Sequence, residues 1–159
     1  DALVYPTGGG EGTVGIWKAF GEMRQWGWLP EDVRFPRMVV AQATGCAPIV
    51  RAFEAQADRA VPWDDPSTHA AGIRVPGPLG DRLLLRLIYE SQGAAAAVDE
   101  DAIRMHTRVL AESTGVDAAP EGGAALATTR MLVEQGNLSR DAEVVIFNTG
   151  SGASYRLGD

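Results

Sequence analysis

Chemistry is most concentrated in Tyr5-Pro6-Thr7-Gly8-Gly9-Gly10-Glu11-Gly12-Thr13. Four glycines fall within five positions here, so the main chain can approach a ligand with no Cβ in the way. A short apolar run, Ala2–Tyr5, leads into the loop, and a helix-patterned stretch starts near Thr13. Strand, glycine loop and helix together make an anion site. The first turn of a helix carries unpaired N–H groups and the positive end of its dipole. Far along the chain, Asn148-Thr149-Gly150-Ser151-Gly152 is a second polar, glycine-rich turn that follows an apolar run. A phosphate-bearing ligand is the expectation from the first loop, and its pairing with the second is the functional signal.

Other phosphate motifs fit less well. Gly10-Glu11-Gly12-Thr13-Val14-Gly15 satisfies G-x-G-x-x-G, but a dinucleotide site also asks for an acidic side chain at the end of the second strand. That strand ends Ala41-Gln42-Ala43-Thr44, and Glu31 and Asp32 precede it. The Gly-Lys-Ser/Thr ending of a nucleoside-triphosphate loop is missing, as is the Gly-x-Ser-x-Gly of a hydrolase. His69 and His106 are far apart with no second ligand at metal spacing, so no metal site is expected. His106 reads as a packed residue on an apolar helix face and Asp64-Asp65 as a solvated loop. Trp17, Trp26, Trp28 and Trp63 read as packing or interface residues. Cys46, the single cysteine, cannot form an internal disulfide, suits a reducing cytosol and reads as a small buried side chain.

The elements that must carry these loops follow from the hydrophobic pattern. Buried strands are expected at Ala2–Tyr5, Met38–Ala43 and Ala94–Val98, with a last strand at Glu143–Phe147 and a brief one near Val116–Ala119. Helices are expected from Thr13 to about Trp26, from Ala47 to about Ala57 with Pro48 in the first turn, and over Gly80–Ser91. The last of these carries Leu83, Leu84, Leu85, Leu87 and Ile88 on nearly every face and reads as fully buried. Asp99-Glu100-Asp101 opens another helix, which runs to about Ser113 before the C-cap candidate Gly115. A further helix spans Gly122 to about Glu134 and is ended by Gly136. Asp58–Pro78, broken by four prolines, reads as loop with a short helical turn around His69–Gly72. This alternation predicts an α/β fold, a parallel sheet with helices on both faces. Ligands of such sheets lie beyond the carboxyl ends of the strands, where both glycine-rich turns fall.

Length and charge set the outer bounds. The 159 residues suit one domain with a sizeable core. The net charge of −7 argues against nucleic acid and against an anionic membrane surface. No apolar run approaches the roughly 20 residues of a membrane span. The chain enters an apolar strand almost at once after Asp1, which reads as a piece cut from a longer polypeptide.

Taken in order, several segments resemble threonine synthase, a pyridoxal-phosphate enzyme of fold-type II. They are Tyr5–Gly12 followed by Gly15-Ile16-Trp17-Lys18-Ala19-Phe20; Gln42-Ala43-Thr44-Gly45-Cys46-Ala47-Pro48 and on to Phe53; Arg74-Val75-Pro76-Gly77-Pro78-Leu79-Gly80-Asp81; Ala119-Pro120-Glu121-Gly122; and Phe147–Gly152. The resemblance implies the carboxyl-terminal part of the large domain of a tryptophan-synthase-beta-like fold. The backbone of Gly8, Gly9, Gly10, Glu11 and Gly12 would cradle the phosphate of pyridoxal 5'-phosphate. Thr149 would hydrogen-bond the ring nitrogen, with Ser151 sharing that role or capping the turn. Glu11 departs from the small or amide residues of related loops, so its carboxylate is expected to face solvent. The resemblance places the Schiff-base lysine upstream of Asp1, because the one lysine, Lys18, lies in a helix motif that does not hold it. No catalytic residue is therefore assigned within the chain. The implied reaction converts O-phospho-L-homoserine and water to L-threonine and phosphate, in a cytoplasmic homodimer completed by the amino-terminal portion. A serine or threonine dehydratase, and a non-catalytic domain that binds a phosphate ligand, are the alternatives.

Overall fold

Side-chain alternation decides the layers. In β1 (Ala2–Pro6) Leu3 is buried on one face of a sheet and Val4 on the other; in β2 (Arg37–Ala43) Met38 and Val40 oppose Val39 and Ala41 in the same way. Strands apolar on both sides require cover on both sides. With β3 (Ala94–Val98) and β4 (Val144–Ile146), they form an all-parallel sheet in the order β3-β2-β1-β4. The structure, a computed structural model, describes residues 1–156.

Helices α1 (Glu11–Gln25), α2 (Pro48–Glu54) and α3 (Asp81–Glu90) pack on the Leu3–Met38–Val40 face. The other face is covered by α4 (Glu100–Thr114) and α5 (Pro120–Glu134), through Ile103, Ala124, Ala125, Ala127 and Leu132. The expected parallel sheet with helices on both faces is thus the observed one. Its first strand lies in the interior of the sheet. The chain steps outward from β1 to β2 to β3, then returns through α4 and α5 to β4 on the far side of β1. Strand order therefore reverses between β1 and β4, and the crevice beyond their carboxyl ends is where sheets of this kind bind ligands.

Three expectations change. Val116–Ala119 is no sheet strand: among the described residues its ladder contact is one antiparallel bridge between Ala118 and Ser151. Val116 is exposed, and the buried Ala118 and Ala119 pair with the Gly150–Ser151 turn rather than with the sheet. Helix α3 is not buried all round. Leu84, Leu85, Leu87 and Ile88 face the core, whereas Leu83 is exposed and, with Asp58, Leu79, Arg82 and Tyr89, lines an open hollow of about 680 Å³. Helix α3 belongs to an outer layer, so only one face meets the sheet. Finally, a short α6 (Ala153–Arg156) follows the second glycine turn, and the sequence pattern offered no period long enough to announce it. The loop over residues 58–78 holds one 3₁₀ turn, Ala71–Ile73, close to the turn expected there.

Two glycines test this packing in opposite directions. A Cβ on Gly123 of α5 would fall 2.5 Å from the Ile103 carbonyl and onto Thr107 of α4, so Gly123→Ala should destabilise the fold by about 1–3 kcal/mol. Gly21 of α1 has open space around it, and Gly21→Ala should stabilise by about 0.5–1 kcal/mol. Urea unfolding of both variants reads the two signs; equal midpoints would contradict the close α4–α5 contact.

Candidate functional site

The glycine loop begins where β1 ends. Thr7 keeps the sheet pairing for one more residue, its N–H donating to the Ala41 carbonyl at 2.9 Å. Its buried hydroxyl donates to the Tyr5 carbonyl at 2.9 Å and meets the Thr13 hydroxyl at 3.2 Å, bolting the strand end to the first turn of α1. Gln42 holds the loop from the neighbouring strand. Its amide nitrogen donates to the Thr7 carbonyl at 3.2 Å, and its oxygen accepts from Ile49 and Val50 at the start of α2. A fully buried amide inside an apolar strand must find such partners, so its place in the run Met38–Ala43 was a usable cue.

Within the loop, Gly8 is packed so closely that a Cβ would stand 2.6 Å from the Gly72 carbonyl and 2.7 Å from Val75. Gly10 adopts the left-handed conformation, φ 99°, at the N-cap of α1. It has no side chain to offer, and no side chain caps α1 among the described residues. The first helical bond runs from Val14 N–H to the Gly10 carbonyl, which leaves the amides of Glu11, Gly12 and Thr13 without helical acceptors. Uncapped donors at the end of a 15-residue helix, reached over a backbone free of Cβ atoms, have the chemistry a phosphate group requires. Glu11 is exposed, in line with expectation, yet its carboxylate folds back over Gly9 rather than away from the loop. The dipole that attracts a phosphate attracts this carboxylate too.

The second turn leaves the next strand at the same end of the sheet. Phe147 N–H donates to the Val4 carbonyl at 3.0 Å, and the Tyr5 and Phe147 rings lie 5.2 Å apart. The Tyr5 hydroxyl packs on Gly12, so one side chain touches the exit of β4 and the start of α1. Thr149 is exposed, and its hydroxyl takes no hydrogen-bond partner among the described residues. Its neighbours are docked. Asn148 Oδ1 and the Gly150 carbonyl both accept from Ala119 N–H at 3.3 Å. Ser151 donates to Asp117 and accepts from Ala153 N–H, which makes it a cap of the turn. Asp117 also receives Arg156 at 2.7 and 2.8 Å, and that guanidinium holds its carboxyl below the usual range.

Sequence reasoning passed over Glu121 and Tyr155. Glu121, in the first turn of α5, is buried and accepts from Gly72 N–H at 2.7 Å and from the Tyr155 hydroxyl. Burial and this carboxylate push the Tyr155 phenol up to about 12. A glutamate after a helix-starting proline looks like an ordinary complement to the dipole, so its burial carried no cue. The remaining candidates lie apart from the loops. Lys18 is exposed and ion-pairs with Glu22 one turn on. His106 is buried, its Nδ1 against the Ala102 carbonyl at 2.8 Å. His69 pairs with Glu100 rather than standing alone. Cys46 is buried, and burial raises its thiol. Trp17 and Trp63 pack against the core, whereas Trp26 and Trp28 are exposed.

The family described as "Pyridoxal-phosphate dependent enzyme" matches residues 1–150. Threonine synthase of Methanocaldococcus jannaschii is 34% identical over 152 residues, 96% of this chain and 37% of that protein. Threonine synthase of Methanosarcina acetivorans is 33% identical over 150 residues, 94% of this chain and 36% of that protein. The chain thus spans little more than a third of the length of the curated relatives it matches. Among solved structures, maize serine racemase superposes with a TM-score of 0.69 at 19% identity, over 99% of this chain and 45% of that one, a likeness of fold.

Two outcomes follow from the site's electrostatics. Glu11→Gln should tighten inorganic phosphate binding about two- to fivefold while costing the helix about 0.3–1 kcal/mol. Phosphate-31 NMR titration and urea unfolding measure the two effects, and weaker phosphate binding would show that the carboxylate does not compete. For Tyr155 the folded phenol is raised from 10.0 to about 12, so its stabilisation is complete below pH 10 and is lost as pH rises towards 12. Ultraviolet phenol titration should show a late transition that Tyr155→Phe abolishes.

Proposed function

This chain belongs to the family of pyridoxal-phosphate dependent enzymes, and on that premise we propose that it forms the cofactor-gripping part of a threonine synthase. The overall reaction is the conversion of O-phospho-L-homoserine and water to L-threonine and phosphate. One observation carries the proposal: a glycine loop uncapped and a threonine unpartnered among the described residues leave adjacent parallel strands at the point where strand order reverses. The named relatives support the same reading.

Each residue has a stated task. The amides of Glu11, Gly12 and Thr13, approached over Gly8, Gly9 and Gly10, hold the phosphate and so fix one end of the cofactor. The Thr149 hydroxyl donates to the ring nitrogen at the other end. A neutral hydroxyl leaves that nitrogen short of full protonation, which tempers the ring relative to a carboxylate partner. Pyridoxal phosphate, when bound, supplies the electron sink for a carbanion on the amino acid. Lys18, exposed and paired with Glu22, takes no part, and the Schiff-base lysine is proposed to come from outside these 159 residues.

The test is spectroscopic. Pyridoxal phosphate added to the nitrogen-15-labelled chain should move the amide signals of Gly8–Gly12 and Thr149 together, with no Schiff-base absorption band. A band that is lost in Lys18→Ala would overturn the assignment of that lysine. In the longest polypeptide the coding sequence specifies, O-phospho-L-homoserine should yield threonine and phosphate. Ammonia released from serine or threonine instead would favour the dehydratase reading.

A further inference from the structure

We propose that Glu121 is a positioning residue that fixes the spacing between the glycine loop and Thr149. The inference rests on the cofactor reading above and adds to it a part with no assigned role. Glu121 is 5% exposed, and its two donors come from segments 49 and 34 residues away in sequence. One is Gly72 N–H, at 2.7 Å, in the 3₁₀ turn; the other is the Tyr155 hydroxyl, in α6. Neither belongs to α5, so the carboxylate does not serve its own helix. Burying a carboxylate is costly unless donors meet it, and here the donors are the two segments that flank the site.

Each of those segments touches one loop. The Gly72 carbonyl backs directly onto Gly8, where a Cβ would stand 2.6 Å away. Helix α6 follows the Thr149 turn, and a Cβ on Gly150 would stand 4.0 Å from Glu121 Oε2. A continuous line of contacts therefore runs Gly8, Gly72, Glu121, Tyr155, with Gly150 beside the carboxylate. A ligand held at both ends needs the two loops at a fixed separation, and this line sets it from behind. Sheet pairing alone fixes only the roots of the loops.

The chain itself serves for the test, with pyridoxal phosphate as the probe and variants E121A, E121Q and Y155F. In ligand-free E121A the amide signals of Gly8–Gly10 and of Gly150–Ser151 should both shift, and the cofactor dissociation constant should rise about tenfold. E121Q keeps an acceptor for Gly72 N–H and a polar partner for Tyr155, so it should return to within about twofold of the parent chain. Y155F should move the Gly150–Ser151 signals and leave Gly8–Gly10 in place, and it carries the test if E121A does not fold. Unshifted loops in E121A, or an E121Q as weak as E121A, would overturn the positioning role even if the parent chain binds cofactor well. Should the parent chain bind no cofactor while E121A still moves both loops, the positioning role stands and the cofactor reading falls.

Discussion

The pairing of β1 with β4 is the constraint on which the rest depends. Ala2, Leu3 and Val4 lie in parallel register with Val144, Val145 and Ile146, although the two strands are separated by nearly the whole chain. Parallel pairing forces both strands to end on the same rim, so the turns that leave them are neighbours by construction. Antiparallel pairing would have sent Thr149 to the opposite edge. The return through α4 and α5 makes the pairing possible, and Gly123 lets those helices approach closely. Loop closure over that distance is offset by burying Val4 and Ala125 against each other's neighbours in one cluster.

On this rim the two turns are built differently. The glycine loop is rigid at its base, with Thr7 buried, Gln42 bonded across from β2 and Gly8 pressed on Gly72. Its tip is electrostatically open, since three amides of α1 lack helical acceptors. The Thr149 turn is docked through Asn148, Gly150 and Ser151, while Thr149 itself is exposed and has no partner among the described residues. Both therefore spend their hydrogen bonds on position, and among the described residues the first three α1 amides have no helical acceptor. Glu11 is the one discordant residue, because a carboxylate over Gly9 competes for the same positive field.

Much of this was legible in the sequence, for physical reasons. Runs such as Met38–Ala43 cannot be stable unless covered on both faces, so the layered fold followed from them. Gly8–Gly12 announced close backbone packing, and Thr149 was singled out through its place after the last strand and through a family resemblance. Long-range partners left no trace in local pattern. Glu121 looks like any first-turn glutamate, and its burial is set by Gly72 and Tyr155. Val116–Ala119 has strand-like residues but no buried sheet edge to join. Leu83 looks like its buried neighbours in α3, and only the outer position of that helix exposes it.

The most direct measurement is a crystal structure of the chain grown with pyridoxal phosphate. The account predicts the phosphate against the amides of Glu11, Gly12 and Thr13, and the ring nitrogen within about 3 Å of the Thr149 hydroxyl. A phosphate bound elsewhere, or a ring directed away from Thr149 with the phosphate in the loop, would contradict it.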